Sequence, residues 1–208
     1  FISGLKSTQD GGDLLGTRIL DVRRDDLGRC FIVRQLFEGH TLRSLMEMRN
    51  GNDTRFDAEE VLSIIERVAK LHQERPSFAH GALTPEKIWI SSGDLLFADV
   101  FLADAGIASF LPPSAIYHRF RRHNQSHAYA PPELLVGRKP DRKSDVYAMG
   151  VAVGELFSGQ VFTGSGDLVS GRMQGIPRPW VPIVEKALQA FPSKRYPDLC
   201  TMLAALRE

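Results

Sequence analysis

Lys143-Ser144-Asp145-Val146-Tyr147-Ala148-Met149-Gly150-Val151-Ala152-Val153-Gly154-Glu155-Leu156-Phe157 is the stretch that decides the fold. After Asp145 almost every residue is apolar or small, and no polar stripe recurs at helical spacing. A helix of that composition has no face to give to water, so it is buried all round and other elements must enclose it. Downstream, Trp180 to Arg207 carries two more helical patterns: Ile183, Val184, Ala187 and Leu188, then Leu199, Met202, Leu203 and Leu206. Upstream, Phe56 to His72 reads as an amphipathic helix. Asp57 and Glu60 have capping-box spacing, Phe56 can staple onto Val61, and Val61, Leu62, Ile64, Ile65, Val68, Ala69 and Leu71 form one apolar face. Pro76 is expected to end it.

Further upstream the periodicity changes. Ile19 to Val22 and Cys30 to Leu36 are β-branched, apolar runs around the polar stretch Arg23 to Gly28, which predicts a β-hairpin. Phe1 to Gly12 reads as a short apolar start followed by a loop.

The 208 residues are enough to bury a sizeable core. With 43% hydrophobic and 25% charged residues the composition is that of an ordinary globular chain. A formal net charge of +1 gives no electrostatic case for nucleic acid or a membrane surface. No apolar run approaches the ~20 residues that span a bilayer, so membrane insertion by this segment is not expected. Cys30 and Cys200 are expected to be reduced thiols in a reducing, cytoplasmic setting.

Three further stretches carry chemistry-type patterns: His80-Gly81-Ala82-Leu83-Thr84-Pro85-Glu86-Lys87, Ala128-Tyr129-Ala130-Pro131-Pro132-Glu133, and Ser193-Lys194-Arg195-Tyr196-Pro197. Together with Ser144-Asp145-Val146-Tyr147 they occur in the order and near the spacing of the eukaryotic-type (Hanks-type) Ser/Thr protein kinases, in a bacterial style. The resemblance covers about Ile19 to Arg207. It implies an α+β, protein kinase-like fold: residues 1–36 as a truncated small-lobe remnant containing the β-hairpin, and residues 37–208 as a mostly helical large lobe. It also implies structural roles. Asp145 would accept hydrogen bonds from the catalytic-loop backbone, and Glu133 would pair with Arg195.

The same resemblance shows where this chain departs from its family. The family's catalytic loop reads His-Arg-Asp-Leu-Lys-Pro-Glu-Asn. Here His80 is kept, Gly81 replaces the Arg, Ala82 the base Asp, Thr84 the Lys and Lys87 the metal-binding Asn. No Gly-x-Gly-x-x-Gly is present. Lys6 stands where a phosphate-binding Lys could be sought, but a solvated surface Lys is the better reading. Arg34 falls at the gatekeeper position and would charge the back of an adenine pocket. Two registers compete for the metal-loop aspartate, Asp99 and Asp104, and Asp104-Ala105-Gly106 matches the family locally better. A turn-capping role accounts for Asp104 as well as a metal role does. The stretch from Leu111 through Tyr117 to His123 reads as a polar activation loop, with Arg119, Arg121 and Arg122 a candidate docking patch for an acidic or phosphorylated protein partner.

These departures lead to an expectation of a pseudokinase, a catalytically inactive protein-binding scaffold or regulatory module. No enzyme activity and no ATP or Mg²⁺ cofactor would follow. The alternative is a weakly active or nucleotide-binding Ser/Thr protein kinase.

Overall fold

The computed structural model describes residues 19–74, 79–91, 95–96, 98–121, 126–160 and 173–208. Phe1 to Gly12 with Lys6, Pro76, the Gly93 turn and Arg122 lie outside the described residues, as do the side chains of Cys30, Leu71, Arg119 and Arg121.

Strands β1 (Ile19–Arg24) and β2 (Cys30–Arg34) form the expected antiparallel hairpin, with Val22 opposite Ile32. Its turn is built on Asp25, whose carboxylate accepts from the Leu27 and Arg29 amides at 3.1 and 2.8 Å. A second antiparallel sheet has the order β3 (His40–Thr41), β4 (Ile88–Ile90), β5 (Val100–Leu102). The segment from Gln35 to Gly39 links the two sheets. It is pinned where Phe37 stacks on Phe101 with ring centroids 4.4 Å apart. Gly39 has φ +143°, and a Cβ there would collide with the Ile90 carbonyl, so only glycine lets the chain pass so close.

Helix α1 (Leu42–Gly51) follows at once, capped by Thr41, whose hydroxyl accepts from the Ser44 amide at 3.1 Å. Helix α2 (Ala58–Glu74) starts on the capping box read from the sequence: the Glu60 amide donates to Asp57 Oδ1 at 2.9 Å and the Asp57 amide to Glu60 Oε2 at 3.0 Å. Phe56 and Val61 are both buried beside it.

The polar loop expected after Leu111 is instead helix α3 (Pro113–Arg121). Proline suits the first turn of a helix, and Ile116 and Phe120, four residues apart, are both buried. The i,i+4 apolar pair was the overlooked signal. Helix α4 (Pro132–Leu135) is a single turn.

Helix α5 (Arg142–Ser158) is the pillar that its composition demanded: Ser144 to Phe157 are all buried. Asp141 caps it, accepting from the Lys143 and Ser144 amides. Helices α6 (Val181–Ala187) and α7 (Leu199–Arg207) complete the body, and both lie against α5. At Gly150 a Cβ would lie 2.9 Å from the Ala187 Cβ, so the missing side chain sets how closely α5 and α6 approach. Among the described residues no helix is long and apolar enough to cross a membrane. Cys200 is a free, half-buried thiol that donates to the Ala69 carbonyl at 3.4 Å.

Candidate active site

The loop His80–Lys87 lies between α2 and β4, and the start of α5 holds it. The Asp145 carboxylate accepts from the His80 amide at 2.7 Å, from the Gly81 amide at 2.8 Å and from His72 Nε2 at 2.9 Å. His72 is completely buried, and its Nδ1 accepts from the Leu199 amide at 3.1 Å. Only one tautomer serves both contacts, with the proton on Nε2. The loop backbone is thus tied through Asp145 and His72 to the first residue of α7.

His80 makes the next link. Its Nε2 donates to the Ala103 carbonyl at 3.0 Å and its Nδ1 accepts from the Ala82 amide at 3.3 Å. Burial, with the Lys87 ammonium adding to it, lowers the His80 pKa to about 4, so the ring is neutral at pH 7. One side chain therefore links the loop at Ala82 to Ala103, the residue just before Asp104. Gly81 has φ +75°, and a Cβ would fall 2.8 Å from the Ala108 Cβ and 3.0 Å from Pro140 Cγ.

Asp104 sits at the end of β5 with φ +62°, a left-handed conformation that Asp tolerates better than most side chains. Arg34 Nη1 approaches its Oδ1 at 3.6 Å. Asp99 is exposed at the far end of the β4–β5 hairpin, where its amide donates to Ser91 Oγ. The structure therefore brings Asp104 to the His80 loop and leaves Asp99 away from it. Lys87 faces β5: its carbonyl accepts from the Ala103 amide at 2.8 Å. The inner face of the hairpin, Val22 and Ile32, packs on Ile107 and Leu111 just beyond Asp104.

Glu86 is not free to act as a displaced base. Burial alone would raise its carboxyl, but hydrogen bonds from Thr84 and its own amide, with the Arg43 charge, hold it below the usual range. Arg43 Nε donates to Glu86 Oε1 at 3.0 Å and Nη1 to Glu155 at 2.5 Å, while Tyr129 OH donates to the same Glu155. This buried cluster joins α1, the loop, Tyr129 and α5. No sequence motif had pointed to it.

Glu133 and Arg195 meet as a two-pronged pair at 2.9 and 2.8 Å, and Arg195 also donates to the carbonyls of Gln189, Lys143 and Ala190. Ser144 Oγ donates to Glu133 at 2.6 Å. Burial again pushes the Glu133 carboxyl upward, and Arg195 with Ser144 more than reverses it, leaving it below the usual range. Of the candidate docking patch, Arg119 and Arg121 lie on α3.

Residues 18–190 match the model of the protein kinase domain. The chain belongs to that family. Serine/threonine-protein kinase PknL of Mycobacterium tuberculosis is 30% identical over 191 residues, which span 85% of this chain and 46% of PknL. PrkC of Bacillus subtilis is 29% identical over 133 residues, 63% of this chain and 19% of that protein. The chain therefore spans less than half the length of these relatives. Among solved structures, the kinase domain of maize SIRK1 bound to AMP-PNP superposes with TM-score 0.76 at 17% identity, covering 99% of this chain and 79% of that one. The M. tuberculosis PknI kinase domain gives 0.68 at 20% identity, covering 97% and 75%. At these identities the superpositions show the fold.

Two expectations are corrected by these findings. The absence of enzyme activity and of a cofactor was drawn from Ala82, Lys87, Arg34 and the missing Gly-rich loop, whereas the family and its named serine/threonine kinases point to an ATP-using enzyme. The physical reason lies in magnitude. A positioned general base contributes only ~10²–10⁴-fold, while positioning and electrostatics carry most of phosphoryl transfer. Losing the base at Ala82 slows such a site without emptying it of catalysis.

Proposed function

We propose that this chain is the nucleotide-binding and phosphotransfer domain of a Ser/Thr protein kinase, working slowly because Ala82 supplies no base. Residues 1–36 serve as the small-lobe part and residues 37–208 as the large lobe. The observation that carries the reading is the double tether of the loop, Asp145 on its backbone and His80 between Ala82 and Ala103, which keeps the catalytic frame ordered around Asp104.

The donor set fits one divalent ion and a triphosphate. A carboxylate at Asp104 suits Mg²⁺, which takes one or two carboxylates and fills its remaining positions with water and phosphate oxygens. The ammonium of Lys87 has no lone pair to offer a metal but suits a phosphate. Bound ATP with its metal would supply the transferable phosphoryl group and neutralise its charge. In this chain Asp145 and His80 keep the loop ordered, Arg34 reaches Asp104 at 3.6 Å, and the backbone of Lys87 is bonded to Ala103 beside it. An acidic or phosphorylated stretch of the acceptor protein suits the basic run Arg119, Arg121 and Arg122, and a cytoplasmic setting suits ATP as donor.

Radiolabelled ATP with a Ser/Thr peptide library tests the reading. Slow incorporation is expected that Asp104→Ala removes and Ala82→Asp raises by ~10²-fold or more. No incorporation by either the natural chain or Ala82→Asp would overturn it.

A further inference from the structure

We propose that Lys87 takes the place of the second metal ion, so that this domain holds a nucleoside triphosphate with one divalent ion on Asp104 and a fixed ammonium where related kinases put another. The inference rests on the nucleotide-binding reading above and goes further, because it specifies the ion stoichiometry of the site and the residue that sets it.

Protein kinases hold two Mg²⁺ ions, one on the metal-loop Asp and one shared with the catalytic-loop Asn. A Lys in place of that Asn removes a neutral oxygen ligand and installs a positive charge. An ion approaching this position would meet a cation instead of a lone pair. The backbone fixes where the Lys stands. Lys87 closes the loop's 3₁₀ turn, its amide donating to the Thr84 carbonyl at 2.9 Å and its carbonyl accepting from Ala103 at 2.8 Å. In the β4–β5 pairing Ile88 faces Leu102 and Trp89 faces Phe101. Ile88, Leu102 and Ile90 are fully buried, so the half-buried Lys87 and Trp89 alternate onto the opposite side of β4. That places Lys87 across from Ala103, one residue before Asp104. The Lys87 charge reaches His80, which contacts Ala103, and the Asp104 charge reaches the same ring with opposite effect.

Arg34 completes the charge balance. It approaches Asp104 at 3.6 Å from the hairpin side and remains 40% exposed, so it can turn toward a phosphate when a metal takes the carboxylate. Two protein-borne monocations, Lys87 and Arg34, carry together the charge of one divalent ion. A protein-borne charge differs from a dissolved one in a measurable way: it is present at any metal concentration.

Titration with Mn²⁺ and the non-hydrolysable analogue AMP-PNP, followed by electron paramagnetic resonance of free Mn²⁺ and by calorimetry, tests this without any turnover. The unaltered chain should bind one Mn²⁺ per AMP-PNP. Lys87→Asn should bind two, and its AMP-PNP affinity should keep rising as Mn²⁺ is raised beyond the first equivalent. Lys87→Met should weaken AMP-PNP about tenfold, a loss that Lys87→Arg restores. Two Mn²⁺ per nucleotide in the unaltered chain would overturn the inference and leave the kinase reading standing, as would an AMP-PNP affinity that Lys87→Met leaves within twofold. No AMP-PNP binding at any Mn²⁺ concentration would sink the nucleotide-binding reading itself, and this inference with it.

Discussion

Replacing Asp145 by Asn changes one atom and tests how the loop is held. Asp145 is 1% exposed and takes three hydrogen bonds, at 2.7, 2.8 and 2.9 Å. Bonds to a charged acceptor contribute ~1.5–3 kcal/mol each, and neutral ones ~0.5–1.5. An amide has one oxygen. If that oxygen keeps His80 and His72, its NH₂ faces the Gly81 amide, and a donor meets a donor. One charged bond is then lost and two fall to neutral strength, for a total of about 4 kcal/mol. That is a large share of the ~5–15 kcal/mol that holds a domain together. With a urea m-value of about 2–3 kcal/mol/M, the unfolding midpoint should fall by ~1.5–2 M. Hydrogen exchange followed by mass spectrometry should show the first and largest loss of protection in peptides spanning His80 to Ala82. A midpoint shift under ~0.4 M, or protection lost evenly along the chain, would refute the clamp.

Stability should also fall with acid in a window set by His80. Its folded pKa, about 4, lies below the ordinary 6.5, so the unfolded chain takes the proton first. The contribution is complete above pH 6.5 and is lost as the pH falls toward 4, about 3 kcal/mol in all. Urea midpoints measured from pH 7 to 5 should slope less in His80→Gln; equal slopes would count against the neutral, buried ring. Arg195→Met or Glu133→Gln should each cost ~3–5 kcal/mol by stranding a buried charge or its donors, and the double variant should cost far less than their sum. Additive losses in that cycle would mean the fork is not coupled. Gly81→Ala should destabilise by ~1–2 kcal/mol, from its φ of +75° and the crowding by Ala108 and Pro140, and thermal unfolding would read it directly.

The elements that could be read from the sequence are those whose signal is local. The unbroken apolar run after Asp145 announced a buried helix, and the Asp57–Glu60 spacing announced a cap, because each depends on residues within a turn or two. The Glu133–Arg195 pair was reachable only through motif order. Helix α1 and helix α3 were missed for a related reason: each is short and carries only a few apolar residues, Leu42, Leu45, Met46 and Met48 in the first and Ile116 and Phe120 in the second, and burial of their helices is decided by what lies across from them. The Arg43 cluster was invisible because its partners, Glu86 and Glu155, lie 43 and 112 residues away. The pairing of Arg34 with Asp104 depends likewise on how the hairpin lies over the end of β5. Ala82 and Lys87 were read as departures from the family's loop. Their consequence was overdrawn, because a missing catalytic group was treated as a missing reaction.

The hydrogen bond from Leu199 to His72 places the last helix in series with the loop: α7, His72, Asp145, then the His80 and Gly81 amides. A displacement of α7 therefore reaches the His80 loop through three successive hydrogen-bonded links. The last helix thus has a mechanical handle on the loop through buried groups alone.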